Sequence, residues 1–517
     1  MRTRRRGHRG SVVPEESMDS LTVITNGMVL TCDDENRAGR FDVMIRNGRI
    51  LEISAPQETP LRHPNAAIID ARGKLVLPGF VNAHFHTESL ILRERTQFIP
   101  MALWNQDIRF REAKQLLQHP SNRDDARVLY LYAYFHHIRC GTTCVGEFLP
   151  EIDGKTLVGI LQAIERTGVT PVVTLQTWDQ LRLMRDLGRG RPRSCIGLGH
   201  EQDWTVHRFE NLIRESTELG VPLAVHIAEQ RDEVESVRKN FLKEPVELLH
   251  HFRMLQPQAA IVHGNHLTNT DCSILESLNA IVVVSPLSSA IKQTGYPALK
   301  HFLQRDIRFA LATDWATTDM IDEMKFMYRL PLVVPGLRRF GAMEIVRMAT
   351  INGAQSLNLD SEVGSLETGK RADITMLSCN RLGIPSVHGK DAEGVARILL
   401  AHLTSGDVSD MMTGGEFMMR DHTLMTIDEN DLRESFHEIV QKIVPASKST
   451  PQDTQEEFRK GRVFPLWHTR GSEIMSGLDM SGAEKLERPA EVSPEPVKEK
   501  ENSPKTSKRV FGEDDLP

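Results

Sequence analysis

Eight short apolar segments alternate with helical patterns between residues 75 and 357, and this repeat limits the possible folds more than any other feature. The segments are rich in valine and isoleucine and mostly do not alternate polar with apolar residues, as expected of strands buried on both faces. They are predicted at Leu75–His86, Thr142–Phe148, Val169–Leu175, Ser194–Gly199, Val221–Ile227, Ala259–Gly264, Ala280–Ser285 and Ile307–Thr313. Eight strand–helix units are what an α/β fold of the TIM (β/α)8 barrel type requires. A doubly wound open sheet is the alternative, which the absence of a glycine-rich phosphate loop disfavours.

Helical patterns separate these strands, and a further one follows the last strand. The clearest are Asp124–Arg139, Lys155–Thr167, Arg208–Leu219 and Met343–Leu357. Their lengths suit the crossover connections that parallel neighbouring strands need. We therefore assign the barrel to residues 75–369.

Two β-rich flanks, 20–74 and 370–430, enclose the barrel in the sequence. The predicted strands are Leu21–Thr31, Phe41–Ile53 with a hairpin at Asn47-Gly48, Ala67–Ile69, Ala372–Leu377, Ala396–His402 and Asp410–Arg420 with a Gly414-Gly415 turn. Neither flank has enough strands to bury an apolar face by itself. We therefore expect the two flanks to combine into one small composite β-sandwich domain.

The two ends of the chain differ in composition from the rest. Residues 1–19 are arginine-rich and are expected to be a disordered extension. Residues 431–517 are expected to form a C-terminal helix followed by a largely disordered tail, since serine, proline, glutamate and lysine dominate beyond Pro445. Such a composition cannot bury enough apolar surface to offset the entropy of ordering.

The overall composition excludes several classes of function. A net charge of -7 gives no support to nucleic acid as a partner, and no apolar run approaches the length of a membrane span. The six cysteines include no Cys-x-x-Cys pair, which is typical of free thiols in a reducing compartment and favours a cytoplasmic location. We expect a small-molecule substrate as the partner, and assembly into a homo-oligomer is left open.

Histidines and acidic residues stand at the carboxyl ends of the predicted strands. His84 and His86 leave the first strand, and their i, i+2 spacing points both imidazoles to one face. The other candidates follow strands five, six and eight: His226 with Glu229 three residues later, His263, and Asp314. Active sites of TIM barrels lie at this face, and three imidazoles with one carboxylate suit a catalytic metal. Any one of these residues could instead cap a helix; their common placement favours the metal site.

The chain resembles the metal-dependent amidohydrolase superfamily. The resemblance covers roughly residues 20–430 and is closest to the branch of S-adenosylhomocysteine/methylthioadenosine deaminases, cytosine and guanine deaminases, and triazine chlorohydrolases. The motifs that carry it are Pro78-Gly79-Phe80-Val81-Asn82-Ala83-His84-x-His86, Gly141-Thr142-Thr143, His226-x-x-Glu229, Val262-His263-Gly264, Thr313-Asp314, Ala349-Thr350-Ile351-Asn352-Gly353-Ala354 and the run from Gly364 to Asp373.

This resemblance implies one divalent metal ion, usually zinc and in some members iron. Its implied ligands are His84, His86, His226 and Asp314. No lysine ends the fourth strand, where binuclear relatives carry a carboxylated one, so a single metal is expected. The implied catalytic residues are Asp314, which exchanges a proton with the metal-activated water, Glu229, which protonates a ring nitrogen, and His263, which polarises the developing oxyanion.

The substrate pocket departs from the pattern of the best-known branch. The usual Pro-x-Ser-Asn reads Pro286-Leu287-Ser288-Ser289, and Trp315 stands where a glycine commonly follows the aspartate. The substrate-binding residues are therefore left unknown. The leading hypothesis is a hydrolytic deaminase of an amino-substituted, nucleobase- or nucleoside-like heterocycle. The alternatives are hydrolysis of another C–N or C–Cl bond, and a non-catalytic amidohydrolase-like scaffold.

Overall fold

Three sheets organise the computed structural model. It describes residues 21–56, 63–96, 99–106, 108–188, 193–256, 259–381, 383–384, 386–387 and 389–443. The strands of these residues are β1 (Leu21–Thr25), β2 (Met28–Leu30), β3 (Ala38–Arg40), β4 (Asp42–Arg46), β5 (Arg49–Ser54), β6 (Ala67–Asp70), β7 (Lys74–Pro78), β8 (Phe80–Phe85), β9 (Thr142–Phe148), β10 (Thr170–Leu175), β11 (Arg193–Leu198), β12 (Leu223–Ile227), β13 (Ala260–His263), β14 (Ile281–Val284), β15 (Arg308–Leu311), β16 (Ile374–Ser378), β17 (Val408–Thr413), β18 (Glu416–Arg420) and β19 (Thr423–Leu424).

Helices fill most connections between the strands. They are α1 (Ser89–Thr96), α2 (Ile108–Gln118), α3 (Arg123–Arg139), α4 (Gly154–Glu165), α5 (Trp178–Asp186), α6 (Val206–Leu219), α7 (Arg231–Phe241), α8 (Pro245–His251), α9 (Asn269–Ser277), α10 (Pro286–Lys292), α11 (Leu299–Gln304), α12 (Met320–Arg329), α13 (Ala342–Met348), α14 (Ile351–Ser356), α15 (Ala392–His402) and α16 (Glu429–Ile443). Short 3-10 turns occur at Met101–Gln106, Pro120–Asn122, Glu201–Asp203, Leu330–Leu332 and Ser405–Asp407. Local sequence signals start several helices: the Asp153 carboxylate accepts from the Lys155 and Thr156 amides, and Thr177 with Gln180 forms a capping box.

The central sheet is an eight-stranded parallel barrel. Strands β8 to β15 follow one another around it in chain order, and a parallel bridge between Phe85 and Asp314 joins the last strand region to the first. The predicted TIM barrel is therefore confirmed. Small apolar side chains fill its interior, among them Ala83, Ala310 and Ala312. At the amino ends of the strands, Val81 packs in a cluster with Leu357 and other apolar residues that close the floor.

The other two sheets lie beside the barrel and draw on both flanks of the sequence. One has the order β5-β4-β1-β6, and the other has the order β19-β18-β17-β16-β7-β2-β3. In the seven-stranded sheet, β7 lies between β2 of the first flank and β16 of the second flank. Residues up to Pro78, which the sequence assigned to the barrel, therefore belong to this sheet. The hairpin at Asn47-Gly48 joins β4 to β5, with both turn residues at positive φ (51° and 75°). The expected flanking β-domain is thus present, built from both ends of the barrel segment.

One predicted strand was wrong: residues Ala396–His402 lie in helix α15. The Asp391 carboxylate accepts from the Gly394 amide at 2.8 Å and begins this helix. Its apolar side chains are buried at helical spacing against α13 and α12. A short apolar run does not by itself distinguish a buried helix from a strand, and the N-cap is the signal that decides here.

Three further predicted elements exist but are divided. Leu75–His86 splits at Gly79 into β7 and β8, which belong to different sheets. The backbone passes close to Thr143 at this point, since a Cβ at Gly79 would lie 2.2 Å from the Thr143 side chain. Leu21–Thr31 splits likewise into β1 and β2. Met343–Leu357 splits into α13 and α14 because Thr350 between them has non-helical dihedral angles (φ -131°, ψ -97°).

The predictions for residues 1–19 and for the tail beyond 443 lie outside the described residues. All the described residues belong to the compact unit Met1–Trp467, whereas the second unit, His468–Pro517, is not described. Within the described part of the chain, no helix is both long and apolar enough to cross a membrane.

Candidate metal centre

Four of the predicted side chains converge at the carboxyl ends of the barrel strands. His84 lies in β8, His86 one residue beyond it, and His226 in β12. Their Nε2 atoms lie 3.1 Å apart for His84 and His86, 3.3 Å for His86 and His226, and 3.0 Å for His226 and His84. The Asp314 Oδ1 atom is 3.6 Å from Nε2 of both His84 and His86. Donor atoms from three separate strand ends therefore face one point.

Strand pairing and backbone geometry hold these groups in place. The Asp314 amide donates to the carbonyl of His84 at 3.0 Å, which ties the aspartate to the first strand. The Asn82 side chain accepts from the Thr313 amide at 3.0 Å and donates to the Thr313 hydroxyl at 2.7 Å. Asp314 has a positive φ of 48°. Non-glycine residues in the left-handed region are uncommon and cluster at functional sites, so the strain here accompanies the placement of the carboxylate.

Burial makes the imidazoles of the cluster neutral ligands. It lowers the pKa of His84 and of His226 well below the usual range, and neighbouring histidines lower both further. Burial also lowers the pKa of His86 to about 3, against the opposing effect of Asp314. A neutral imidazole offers a lone pair to a metal, whereas a protonated one cannot bind it.

Glu229 and His263 lie beside the four converging groups. Glu229 is 3% exposed and His263 is 1% exposed, and the Glu229 Oε2 atom is 3.4 Å from the His263 Nε2 atom. Burial lowers the pKa of His263, although Glu229 raises it. His263 also has a positive φ of 77°. All six sequence-predicted site residues thus lie in one cluster at the mouth of the barrel, with His86 and His226 partly exposed and the other four buried.

A lysine that the sequence analysis did not single out completes the cluster. Lys292 is the last residue of α10, is 3% exposed, and places its Nζ atom 2.5 Å from the Asp314 Oδ2 atom and in contact with the Glu229 Oε1 atom. Burial lowers the pKa of the Lys292 ammonium, but Asp314 and Glu229 raise it by more, so the lysine is charged. Burial raises the pKa of Asp314, but Lys292 and the neighbouring histidines together lower it by more, so the aspartate is ionised. The polar run around Lys292 gave no signal, because it is typical of a solvated helix end.

Aromatic rings line one side of the cluster. Phe148 lies 4.4 Å from the His226 ring and 5.4 Å from the His86 ring, measured between centroids. Trp315 lies 6.0 Å from His86 and 5.0 Å from Trp104, and its Nε1 atom donates to Thr96 at 2.9 Å. The tryptophan that departs from the expected glycine is therefore a fixed wall of the site. Such a wall suits a flat ring better than a flexible chain.

The donor atoms fit a divalent metal ion. Two overlapping groups have ligand atoms within 4.8 Å of one another: His84, His86 and His226, and His84, His263 and Asp314. The Asp314 Oδ1 atom is buried and accepts no hydrogen bond from the described residues. Neutral imidazoles whose lone pairs face one another, with a buried carboxylate oxygen alongside, need a cation between them. The strand-four end (β11) contributes no lysine, as the sequence predicted.

Comparison with known proteins agrees with this geometry. The amidohydrolase family matches residues 75–418. The 5-methylthioadenosine/S-adenosylhomocysteine deaminase of Pyrococcus furiosus is 26% identical over 442 residues, covering 81% of this chain and 100% of the relative. The enzyme of the same name from Syntrophomonas wolfei is 27% identical over 400 residues, covering 73% of this chain and 89% of the relative.

Solved structures share the same fold. A zinc-bound adenosine deaminase from Xanthomonas campestris superposes with a TM-score of 0.72 at 20% identity, covering 82% of this chain and 98% of its own. Atrazine chlorohydrolase from Arthrobacter aurescens TC1, complexed with zinc, superposes with a TM-score of 0.71 at 17% identity, covering 81% of this chain and 100% of its own. The family match spans the whole barrel and part of the flanking sheet. The chain therefore belongs to the amidohydrolase family, as a metal-dependent hydrolase that acts on carbon–nitrogen bonds.

Proposed function

We propose that this protein is a hydrolytic deaminase that removes an amino group from a nucleobase- or nucleoside-like heterocycle with the help of one zinc ion. The observation that carries the proposal is the convergence of His84, His86, His226 and Asp314, with Glu229 and His263 beside them. The names of the P. furiosus and S. wolfei relatives support deamination of an adenine-type ring. The proposed metal ligands are the three histidines and the aspartate, and iron is the alternative ion.

Each side chain has a separate task in this proposal. A divalent cation bound here would lower the pKa of a water molecule to about 7 and so supply a nucleophile at neutral pH. Asp314 would accept a proton from the attacking water and pass it to the leaving amine. Glu229 faces the substrate side and gives a proton to the ring nitrogen next to the attacked carbon. His263 donates to the oxygen that gains negative charge.

The aromatic wall supports a planar substrate. Phe148 and Trp315 flank the histidines and place apolar ring faces next to the polar cluster. A heterocycle can stack there while its edge meets Glu229 and His263. We further propose a reducing, cytoplasmic location, because the cysteines are free and most are buried.

A screen of amine-bearing heterocycles tests the proposal. Purified zinc-loaded protein is incubated with methylthioadenosine, S-adenosylhomocysteine, adenosine, guanine and cytosine, and ammonia release is measured. A parallel reaction with atrazine is assayed for chloride release. We expect ammonia from at least one purine, about one zinc per chain, and loss of both metal and turnover in the double variant His84→Ala/His86→Ala.

Other results would select the alternatives. Chloride release without ammonia release would favour C–Cl hydrolysis, the activity in the name of the Arthrobacter neighbour. Full metal retention in the double variant would contradict the proposed ligand set, and two metals per chain would contradict a mononuclear site. Absence of bound metal in the wild type would favour the scaffold alternative.

A further inference from the structure

We propose that Lys292 is a positioning residue that joins Glu229 and Asp314 in one ion-pair network and lowers the affinity of the site for a divalent cation. The inference rests on the metal site of the proposed function. It adds a residue that neither the family motifs nor the strand-end pattern contains.

The fold forces this lysine inward. Helix α10 begins directly after β14, and Gln293 ends it in the left-handed conformation (φ 58°). This geometry leaves the Lys292 side chain 3% exposed, at the carboxyl face of the barrel. A buried ammonium group carries three N–H donors and no acceptor. It therefore needs hydrogen-bond acceptors from neighbouring side chains. Glu229 and Asp314 supply these acceptors from two different strand ends.

The network determines which oxygen of Asp314 is available to a cation. The Oδ2 atom accepts from the Ser288 hydroxyl at 2.7 Å and from the Lys292 ammonium at 2.5 Å. The Oδ1 atom faces His84 and His86 at 3.6 Å and accepts no hydrogen bond from the described residues. Lys292 thus holds the carboxylate in an orientation that presents one oxygen to the histidines. At the same time it holds Glu229 against the substrate side.

The network also changes the charge that a bound cation meets. Lys292 places its ammonium group between the side-chain carboxyl groups of Asp314 and Glu229. A cation held near Asp314 Oδ1 therefore lies close to a fixed positive charge of the protein. Removing a like charge a few ångströms away should tighten cation binding by at least about tenfold, even with water-like screening. Lys292 thus orders the two carboxylates and at the same time weakens metal binding.

Zinc affinity measures this effect without any assay of turnover. Metal-free protein is titrated with Zn²⁺ against a chromophoric chelator, for the wild type, Lys292→Met and Lys292→Arg. We expect the methionine variant to bind zinc at least about tenfold more tightly. The arginine variant keeps the charge and should stay within about threefold of the wild type. A matched control is Lys243→Met, which removes the lysine paired with Glu247 on α8 and should leave zinc affinity unchanged.

The outcomes separate this inference from the proposed function. Unchanged or weaker zinc binding in folded Lys292→Met would overturn the inference, while a wild type that binds zinc through His84 and His86 would still support the metal site. Should near-ultraviolet circular dichroism show the methionine variant unfolded, Lys292→Gln carries the same expectation, because its amide keeps a donor and loses the charge. A wild type without zinc affinity would instead refute the proposed function itself.

Discussion

The two carboxylates of the site have different surroundings, and this difference predicts different consequences of neutralising them. Asp314 directs one oxygen to the histidines, whereas Glu229 contacts Lys292 and lies 3.4 Å from His263. We expect Glu229→Gln to lower turnover by about 10²–10⁴-fold, since general acid catalysis is lost, with about one zinc per chain still bound at saturating Zn²⁺. Asp314→Asn should lower turnover further and also weaken zinc binding. Turnover number and zinc per chain are measured for both.

A matched control for Glu229→Gln is Glu235→Gln, an exposed position on the neighbouring helix α7. It should leave turnover and zinc content at the wild-type level. Turnover of Glu229→Gln within a few-fold of the wild type would remove Glu229 from the chemistry and favour the C–Cl or other C–N alternatives.

The burial of His137 predicts how the stability of the protein depends on pH. The residue is fully buried in α3, with its ring 4.7 Å from that of Phe85, which lies between His84 and His86. Burial, aided by His136, lowers the pKa of His137 to about 3, whereas in the unfolded chain it is about 6.5. The unfolded state therefore binds more protons between these two values, and stability falls as pH falls through this window.

We expect the wild type to lose roughly 2 kcal/mol more stability than His137→Leu between pH 7 and pH 5. Urea unfolding of the zinc-loaded proteins at both pH values measures the difference. Parallel pH dependence in the two proteins would show that His137 titrates normally in the folded state.

At the scale of elements, a site residue can be predicted from the sequence when it stands at the end of a predicted strand. His84, His226 and Asp314 each follow an apolar run, so the barrel topology alone brings them together. Lys292 could not be found this way, because its burial depends on how the short helix α10 packs over the mouth. The strand predicted at Ala396–His402 was wrong for a different reason: a short apolar run that packs on neighbouring helices looks like a buried strand in the sequence.

Strands β8 and β9 lie so close together at Gly146 that a larger side chain should not be tolerated there. A Cβ there would lie 2.3 Å from the carbonyl oxygen of Ala83, the residue before His84. Backbone cannot yield as a flexible side chain can, so Gly146→Ala should move the two strands apart. We expect a loss of stability of roughly 1–3 kcal/mol and weaker zinc binding. Thermal unfolding and chelator competition measure the two effects.

Gly199→Ala is the matched control, since a Cβ at Gly199 meets nothing within 4 Å and its φ is not positive. It should change neither stability nor zinc binding appreciably. Equal behaviour of the two variants would show that the strands adjust to the added methyl group.

At the scale of the whole molecule, the two flanks of the sequence depend on each other. Strand β7 pairs in parallel with β2 and antiparallel with β16, so the seven-stranded sheet needs segments from both sides of the barrel. The existence of a composite β-domain could be predicted because each flank lacks enough strands. Its pairing order could not, since register between distant segments depends on long-range packing. We propose 20–74 with 370–430 as its boundaries, to which β7 adds the residues up to Pro78.

The last helix also anchors the chain to the barrel. In α16 the Phe436 ring stacks on Tyr132 of α3 with centroids 3.7 Å apart, and Leu432 and Ile439 are buried. Glu429 pairs with Arg139 at the start of the helix, and Lys442 pairs with Asp125 at its end. These contacts make the end of α16, and not the end of the flanking sheet, the expected limit of the stable fold.

Two truncations test this limit. A chain ending at residue 447 keeps all of α16 and should retain the melting temperature and turnover of the full protein, because the composition beyond it favours disorder. A chain ending at residue 428 loses α16 and exposes the apolar surface under Leu432, Phe436 and Ile439. Each fully buried side chain that is lost, such as Leu432 or Ile439, costs about 1.5–3 kcal/mol of folding free energy. Its melting temperature should fall, whereas zinc binding by the surviving folded fraction should persist, since the proposed ligands lie on β8, β12 and the end of β15. A large fall already at residue 447 would show that the tail packs on the fold.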